Sequence, residues 1–370
     1  MAPPTAEEQV EFLQKLQRLL REGSFTSTYK YALLLAICDL AVEHGDDAGS
    51  PLRLETRQIG EKFVQYYWRQ AAPYAARGRS EGGRPLLQNT DRQAAVVSEL
   101  VEARRAGTTL TALRRDARAW QRLVGRVTAV VEKMPLWKLQ TVGTAPLEFL
   151  YPNRSAGTHA IELRPVAVFC LRRFHGLIHE LVRGSWLRFV RGLRANQDSL
   201  GQANDLAAFL FGSGRADLAA CKRVLWEHDD RCFYCDARLS DGAVVDHFVP
   251  WSLYPVDLGH NFVLADPHCN AQKTNLLAAE AHLARWCDRN ERLGAGFEAR
   301  LGEAGIVADA SASRQITRWA YAQADAAKAL VWSGGTNRVP LGQGWQELGW
   351  LRVEAQEVLL AAEAPSAWES

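Results

Sequence analysis

The sequence predicts a mostly helical chain with one small, irregular, cysteine-bearing module embedded near residues 221 to 290. Three observations predict it. Apolar residues recur at helical spacing over most of the 370 residues. Strand-like runs are short and confined to two regions, near 147–164 and 242–265. Three cysteines, Cys232, Cys235 and Cys269, crowd a single segment.

Residues 7 to 44 show the helical spacing first, in Phe12, Leu16, Leu19 and Leu20, then Leu33, Leu34, Ile37 and Leu40. Gly23-Ser24, followed by Thr26, Ser27 and Thr28, marks the end of one helix and the cap of another. A further helix is expected over 56–75, dense in aromatic residues that fit a core better than a base-stacking surface. Gly78 to Pro85 is a loop, and helices resume over 91–105 and 110–134. Leu147–Tyr151 and Ala160–Arg164 form an expected β-hairpin around Asn153 to Gly157. Helices follow over 166–193 and 216–228. Residues 275–330 are helical in period, Ser333 to Asn337 break that run, and a last helix covers 345–362. The expected organisation is a helical region 1–215 for DNA or partner binding, a module 216–290, and a C-terminal helical region 291–370.

Composition bounds the function. Hydrophobic residues at 47% and charged residues at 23% suit a globular chain with a sizeable core. A net charge of +2 excludes attachment to nucleic acid or acidic lipid by bulk charge, so any basic surface is local. No run of about 20 apolar residues spans a membrane. The N-terminal stretch lacks a basic segment followed by an apolar run, so a cytoplasmic location is expected. Seven cysteines, an odd number, argue against a disulfide framework there. Arg outnumbers Lys 36 to 8, which reflects coding bias and weakens any argument from arginine richness.

The chemistry lies between Cys232 and Leu277. Cys232 and Cys235 have the C-x-x-C spacing that lets two thiolates reach one tetrahedral zinc, and Cys269 offers a third. A second knuckle would place the partner of Cys269 at Asp266. That carboxylate or His268 is the candidate fourth ligand, unless Asp266 instead caps a helix starting at Pro267. Between the knuckles, Asp246-His247 follows a strand-like run, Asn261 sits in another, and Asn270 opens the helix. Neutral imidazole suits a general base near neutral pH. A carboxylate and an amide oxygen are hard ligands suited to a single magnesium that retains waters. Lys273 shares a helix face with Asn270.

These residues, Cys232-x-x-Cys235, Asp246-His247-x-x-Pro250, Asn261 and Cys269-Asn270-x-x-Lys273, together resemble the HNH endonuclease family, a ββα-metal nuclease fold. The resemblance implies His247 as the base that activates water and Asp246 as the carboxylate on a catalytic magnesium or manganese. It implies Asn261 as the residue that holds the loop of the base through backbone groups. Asn270 takes the last position, a metal ligand, making this an H-N-N variant, and Lys273 is the basic residue near the scissile phosphate. Asp266 in place of a cysteine leaves the knuckle pair partly altered, and the resemblance leaves residues 1 to 215 unexplained.

Two arginine-dense stretches, 103–126 and 163–194, are candidate DNA contacts, with Arg172, Arg173 and Arg183 named within the second. The functional expectation is a metal-dependent DNA endonuclease, with a role in bacterial defence or restriction. The rival is a catalytically silent, zinc-stabilised DNA-binding adaptor, and RNA cleavage is a third reading. One such site cuts one strand at a time, so double-strand cutting would need a dimer or two encounters; a protein partner or a homodimer is the expected association.

Overall fold

The computed structural model describes residues 3–74, 84–105, 107–152, 159–200, 205–212 and 218–351. The chain divides into two compact units, Met1–Ala216 and Asp217–Ser370. The expected boundary at 290/291 falls within the helical residues Glu280–Glu303, ahead of a break at Gly294.

In the first unit, α1 (Ala6–Glu22) starts at a capping box: Thr5 Oγ1 accepts from the Glu8 amide, and Glu8 Oε2 accepts from the Thr5 amide at 2.8 Å. After it, α2 (Tyr29–His44) is apolar almost all round and accordingly runs through the core. Strand β1 (Leu52–Glu55) leads into α3 (Thr56–Gln70). Then come α4 (Ala95–Arg104), α5 (Leu110–Arg115), α6 (Ala117–Lys133) and α7 (Pro135–Lys138). Strands β2 (Thr141–Val142), β3 (Ala145–Pro146) and β4 (Ala160–Leu163) precede α8 (Pro165–Arg173) and α9 (His175–Gly192). Two short helices, α10 (Gln197–Leu200) and α11 (Leu206–Phe211), close the unit. Helices α3, α8 and α9 pack on α2, and α6 packs on α3. The aromatic helix α3 is core: Phe63 and Tyr67 are fully buried.

The expected hairpin at 147–164 does not form, and its turn residues 153–158 lie outside the described residues. Residues 147–151 are not a strand, because Gln140 takes over their backbone: its Oε1 accepts from the amides of Phe149 and Leu150 at 3.0 and 2.7 Å. Strand β4 pairs instead with β1, antiparallel, Leu52 opposite Leu163. The expected helices 110–134 and 166–193 are each two, broken at Asp116 and at Phe174.

Arg172 also differs from expectation. Its side chain is 3% exposed, so it cannot meet DNA. The guanidinium closes the C-terminal end of α2, donating to the carbonyls of Ala41, Val42 and Gly45 at 2.9 to 3.0 Å and to Asp47 Oδ1 at 2.6 Å. A cation there also opposes the helix dipole. Arg172→Met therefore strips several buried carbonyls of their donor and should cost about 3 kcal/mol. Urea melts check this; unchanged stability with weakened DNA binding would return Arg172 to the surface role. Its neighbour Arg173 is exposed, and Arg183 is half-buried with its guanidinium over the Phe211 ring.

The second unit opens with α12 (Leu218–Trp226). Strands β5 (Val244–His247) and β6 (Phe262–Ala265) pair antiparallel, Asp246 opposite Val263, and α13 (Pro267–Lys273) follows at once. Long helices α14 (Glu280–Glu303) and α15 (Ala310–Ala326) flank them; Gly294, at φ +48°, kinks the first. A hairpin of β7 (Leu330–Gly334) and β8 (Asn337–Pro340) occupies the expected break. The last helix expected at 345–362 is two short 3-10 turns over 345–351, and 352–370 lie outside the described residues. No helix among the described residues is long and apolar enough to cross a membrane.

Candidate functional site

The cysteines are assembled by a tight turn. The Cys232 amide donates to the Ala237 carbonyl at 2.8 Å and the Asp236 amide to the Cys232 carbonyl at 2.9 Å. Asp236 closes the turn at φ +61°, a left-handed conformation that aspartate tolerates better than most residues. This aims both thiols of the pair at Cys269 on the first turn of α13, and the three sulfurs lie within 4.8 Å of one another. Burial opposes ionisation of Cys235, but the Ala237 amide and the neighbouring thiols hold it below the ordinary thiol value. Burial and those same neighbours push Cys269 up to about 12. One thiolate thus suppresses the next, the situation a divalent cation relieves. Three sulfur donors suit zinc.

The Asp266 carboxylate lies outside the cluster of three sulfurs. Its Oδ1 accepts from the His268 amide at 2.8 Å, capping α13. Its backbone also reaches the sulfurs, the Asp266 amide lying 3.3 Å from Cys232 Sγ, and its charge opposes ionisation of Cys235. His268 is exposed, its ring 2.7 Å from Gln272 Nε2. Among the described residues the group is three thiols.

Asp246 and His247 are consecutive on β5, so their side chains leave opposite faces. On one face, Asp246 Oδ2 accepts from the Tyr234 hydroxyl at 2.6 Å and stands 3.0 Å from Lys273 Nζ. Lys273 is wholly buried and also donates to the His247 carbonyl at 2.9 Å. It therefore cannot touch a phosphate: the ammonium is a buried staple between α13 and β5. Burial pushes its pKa down, and Asp246 partly restores it. The same environment raises the Tyr234 hydroxyl well above the ordinary phenol range, through burial first and the Asp246 charge second.

On the other face, His247 Nε2 lies 2.9 Å from Asp257 Oδ1, with side chains 17% and 26% exposed. The edges of Trp251 and Phe262 hold the imidazole, ring centroids 5.1 and 4.9 Å away. Asn261 makes a two-way clamp on the backbone after His247. Its Oδ1 accepts from the Val249 amide at 2.7 Å, and its Nδ2 donates to the Val249 carbonyl at 3.0 Å. Asn270 is half-buried on α13, one turn before Lys273, and α13 packs against β5.

Asp257 and Tyr234 were not singled out by the sequence. Asp257 carried a weak signal, a carboxylate in the loop ten residues after His247; Tyr234 is masked inside the C-x-x-C. For a hard cation the donor chemistry is suitable. The hydrogen bonds of Asp246 fall on Oδ2, leaving Oδ1 outside them among the described residues, and Asn270 brings an amide oxygen. The Lys273 ammonium nevertheless shares that carboxylate and lowers its free charge.

Behind the site, His260 is 2% exposed, its carbonyl accepting from Trp286 Nε1 and Arg289. Burial pushes it down to about 4. The unfolded chain takes up that proton near about pH 6.5, so between these values the unfolded state binds more protons. Stability is complete above the unfolded value and falls as pH drops through the window, by about 3 kcal/mol from this group once both are passed. Urea melts at neutral and mildly acidic pH should show His260→Gln losing less than wild type; equal losses would sink the assignment.

The chain belongs to the family described as Domain of unknown function (DUF8808), whose model matches residues 9–210. That match lies within the first unit and ends before the cysteine segment. No curated protein and no solved structure matches the chain.

Proposed function

We propose that residues 232–273 form the active site of a metal-dependent HNH-type endonuclease that hydrolyses DNA, with His247 as general base. One observation carries this reading: the partly buried His247–Asp257 pair, with His247 on a strand whose following loop is clamped by Asn261, in a strand–strand–helix order. With Asp257 accepting from Nε2–H, the imidazole lone pair falls on Nδ1. That nitrogen takes a proton from water as the water oxygen bonds to phosphorus; the phosphorus–oxygen bond to the leaving strand breaks, and solvent protonates the alkoxide. Asp246 and Asn270 would hold magnesium or manganese, which supplies charge stabilisation at the scissile phosphate. The three cysteines would hold a structural zinc.

Phosphate contact in 163–194 then falls to exposed residues such as Arg173 and Arg191, with Arg183 at the margin. A role in bacterial defence or restriction is part of the proposal. The silent adaptor is favoured by one specific observation, the Lys273 ammonium already seated on Asp246. Incubation of the full chain with supercoiled plasmid, labelled RNA, and Mg²⁺ or Mn²⁺ separates the readings. Metal-dependent nicking of DNA supports the nuclease, DNA binding without cleavage the adaptor, and cleavage confined to RNA moves the substrate.

A further inference from the structure

Helices α2 and α9 bury a second set of donors, far in sequence from the cysteine segment. Cys38 and Asp39 are adjacent on α2, and His175 and His179 are one turn apart on α9. They are 0%, 2%, 2% and 5% exposed, where α9 packs on the buried helix α2. Both imidazoles converge on one atom: His175 Nε2 and His179 Nε2 stand 2.9 and 2.8 Å from Asp39 Oδ1. The two ring centroids are 4.1 Å apart. A nitrogen of each ring and Cys38 Sγ lie within 4.8 Å of one another.

We propose that Cys38, His175 and His179 hold a structural zinc ion that ties α2 to α9, with the Asp39 carboxylate beside the two imidazoles. In a tetrahedral zinc site, nitrogen and oxygen donors stand about 3.3 Å apart and sulfur about 3.6 Å from nitrogen, given ordinary zinc–ligand lengths. The two imidazole–carboxylate contacts would open by about half an ångström, and the Cys38 thiol, now donating to the Leu171 carbonyl at 3.5 Å, would turn from it toward the ion. Two histidines at i and i+4 on one helix face suit a single ion. Mixed sulfur and imidazole donors select zinc over magnesium or calcium. Burial of all three donors bars substrate from the ion, which marks a structural rather than a catalytic centre. Asp39, held by the Tyr66 hydroxyl donating to its Oδ2 at 2.5 Å, is the carboxylate partner that orients the two imidazoles. The site lies inside the family-matched region and is independent of the nuclease reading.

The test uses the full chain, expressed with zinc, carrying Cys232→Ser, Cys235→Ser and Cys269→Ser to remove the thiols of the second unit. Elemental analysis should find about one equivalent of zinc per chain, falling at least tenfold when Cys38→Ser and His179→Gln are added. Cobalt loaded in place of zinc should give tetrahedral ligand-field bands and a thiolate charge-transfer band in the triple-serine chain. That spectrum requires no change in the first unit, so it decides the matter even where Cys38 variants misfold. A helical triple-serine chain without stoichiometric metal overturns the site. So does zinc content unmoved by the Cys38 and His179 substitutions.

Discussion

His247→Ala should abolish strand nicking while the chain keeps its helical content and melting point. The ring is part of no buried ion pair that the fold depends on; its partner Asp257 is 26% exposed and can turn to water. Loss of a general base costs about 10²- to 10⁴-fold in rate, enough to take plasmid nicking below detection. Asp257→Asn should lose less, because the base survives and only its tautomer and orientation are disturbed. Time courses of supercoiled and nicked plasmid with Mg²⁺ or Mn²⁺ measure both. Equal nicking by wild type and His247→Ala would remove His247 from catalysis, and with it the nuclease reading. The ordering of the two variants carries further information: a greater loss in Asp257→Asn would make that carboxylate a metal ligand rather than an orienting partner.

The helices were readable because burial of a helix face leaves a local periodic trace: Phe12, Leu16 and Leu19 are the buried face of α1. Pairing leaves no such trace. Strand β4 was expected opposite the nearby run at 147–151, yet its partner β1 lies more than a hundred residues earlier. Nothing local distinguishes a strand waiting for a distant partner from one that turns back. Arg172 and Arg173 make the same point for charge. They are adjacent in sequence, but about 100° of helix rotation puts one on the carbonyls of α2 and the other in solvent. The residue types at the candidate site were legible, since Asp246, His247, Asn261 and Asn270 stand in a recognisable order. Their partners were not: Tyr234, Asp257 and the buried ammonium of Lys273 depend on how loop, strand and helix pack.

Lys273 gives the sharpest separation between a surface and a buried reading. Lys273→Met keeps the length and apolar stem of the side chain and removes only the charge. The Asp246 carboxylate, 12% exposed, then loses its cation, and the His247 carbonyl loses a donor. Breaking one side of such a pair costs about 3 to 5 kcal/mol, because the remaining charge stays desolvated. Tyr234 offsets part of this through its hydrogen bond to Oδ2. Replacing both partners, as in Lys273→Met with Asp246→Leu, should recover much of the loss, since no unpaired charge remains. Urea melts of the two variants beside wild type read both effects. A phosphate-contacting lysine would behave in the opposite way: Lys273→Met would melt like wild type and lose only DNA affinity, with a weaker salt dependence. A stability change under about 0.5 kcal/mol would therefore place the ammonium in solvent and undo the buried-staple geometry. A large loss rescued by the double variant fixes Lys273 as the residue that sets the carboxylate beside the proposed metal.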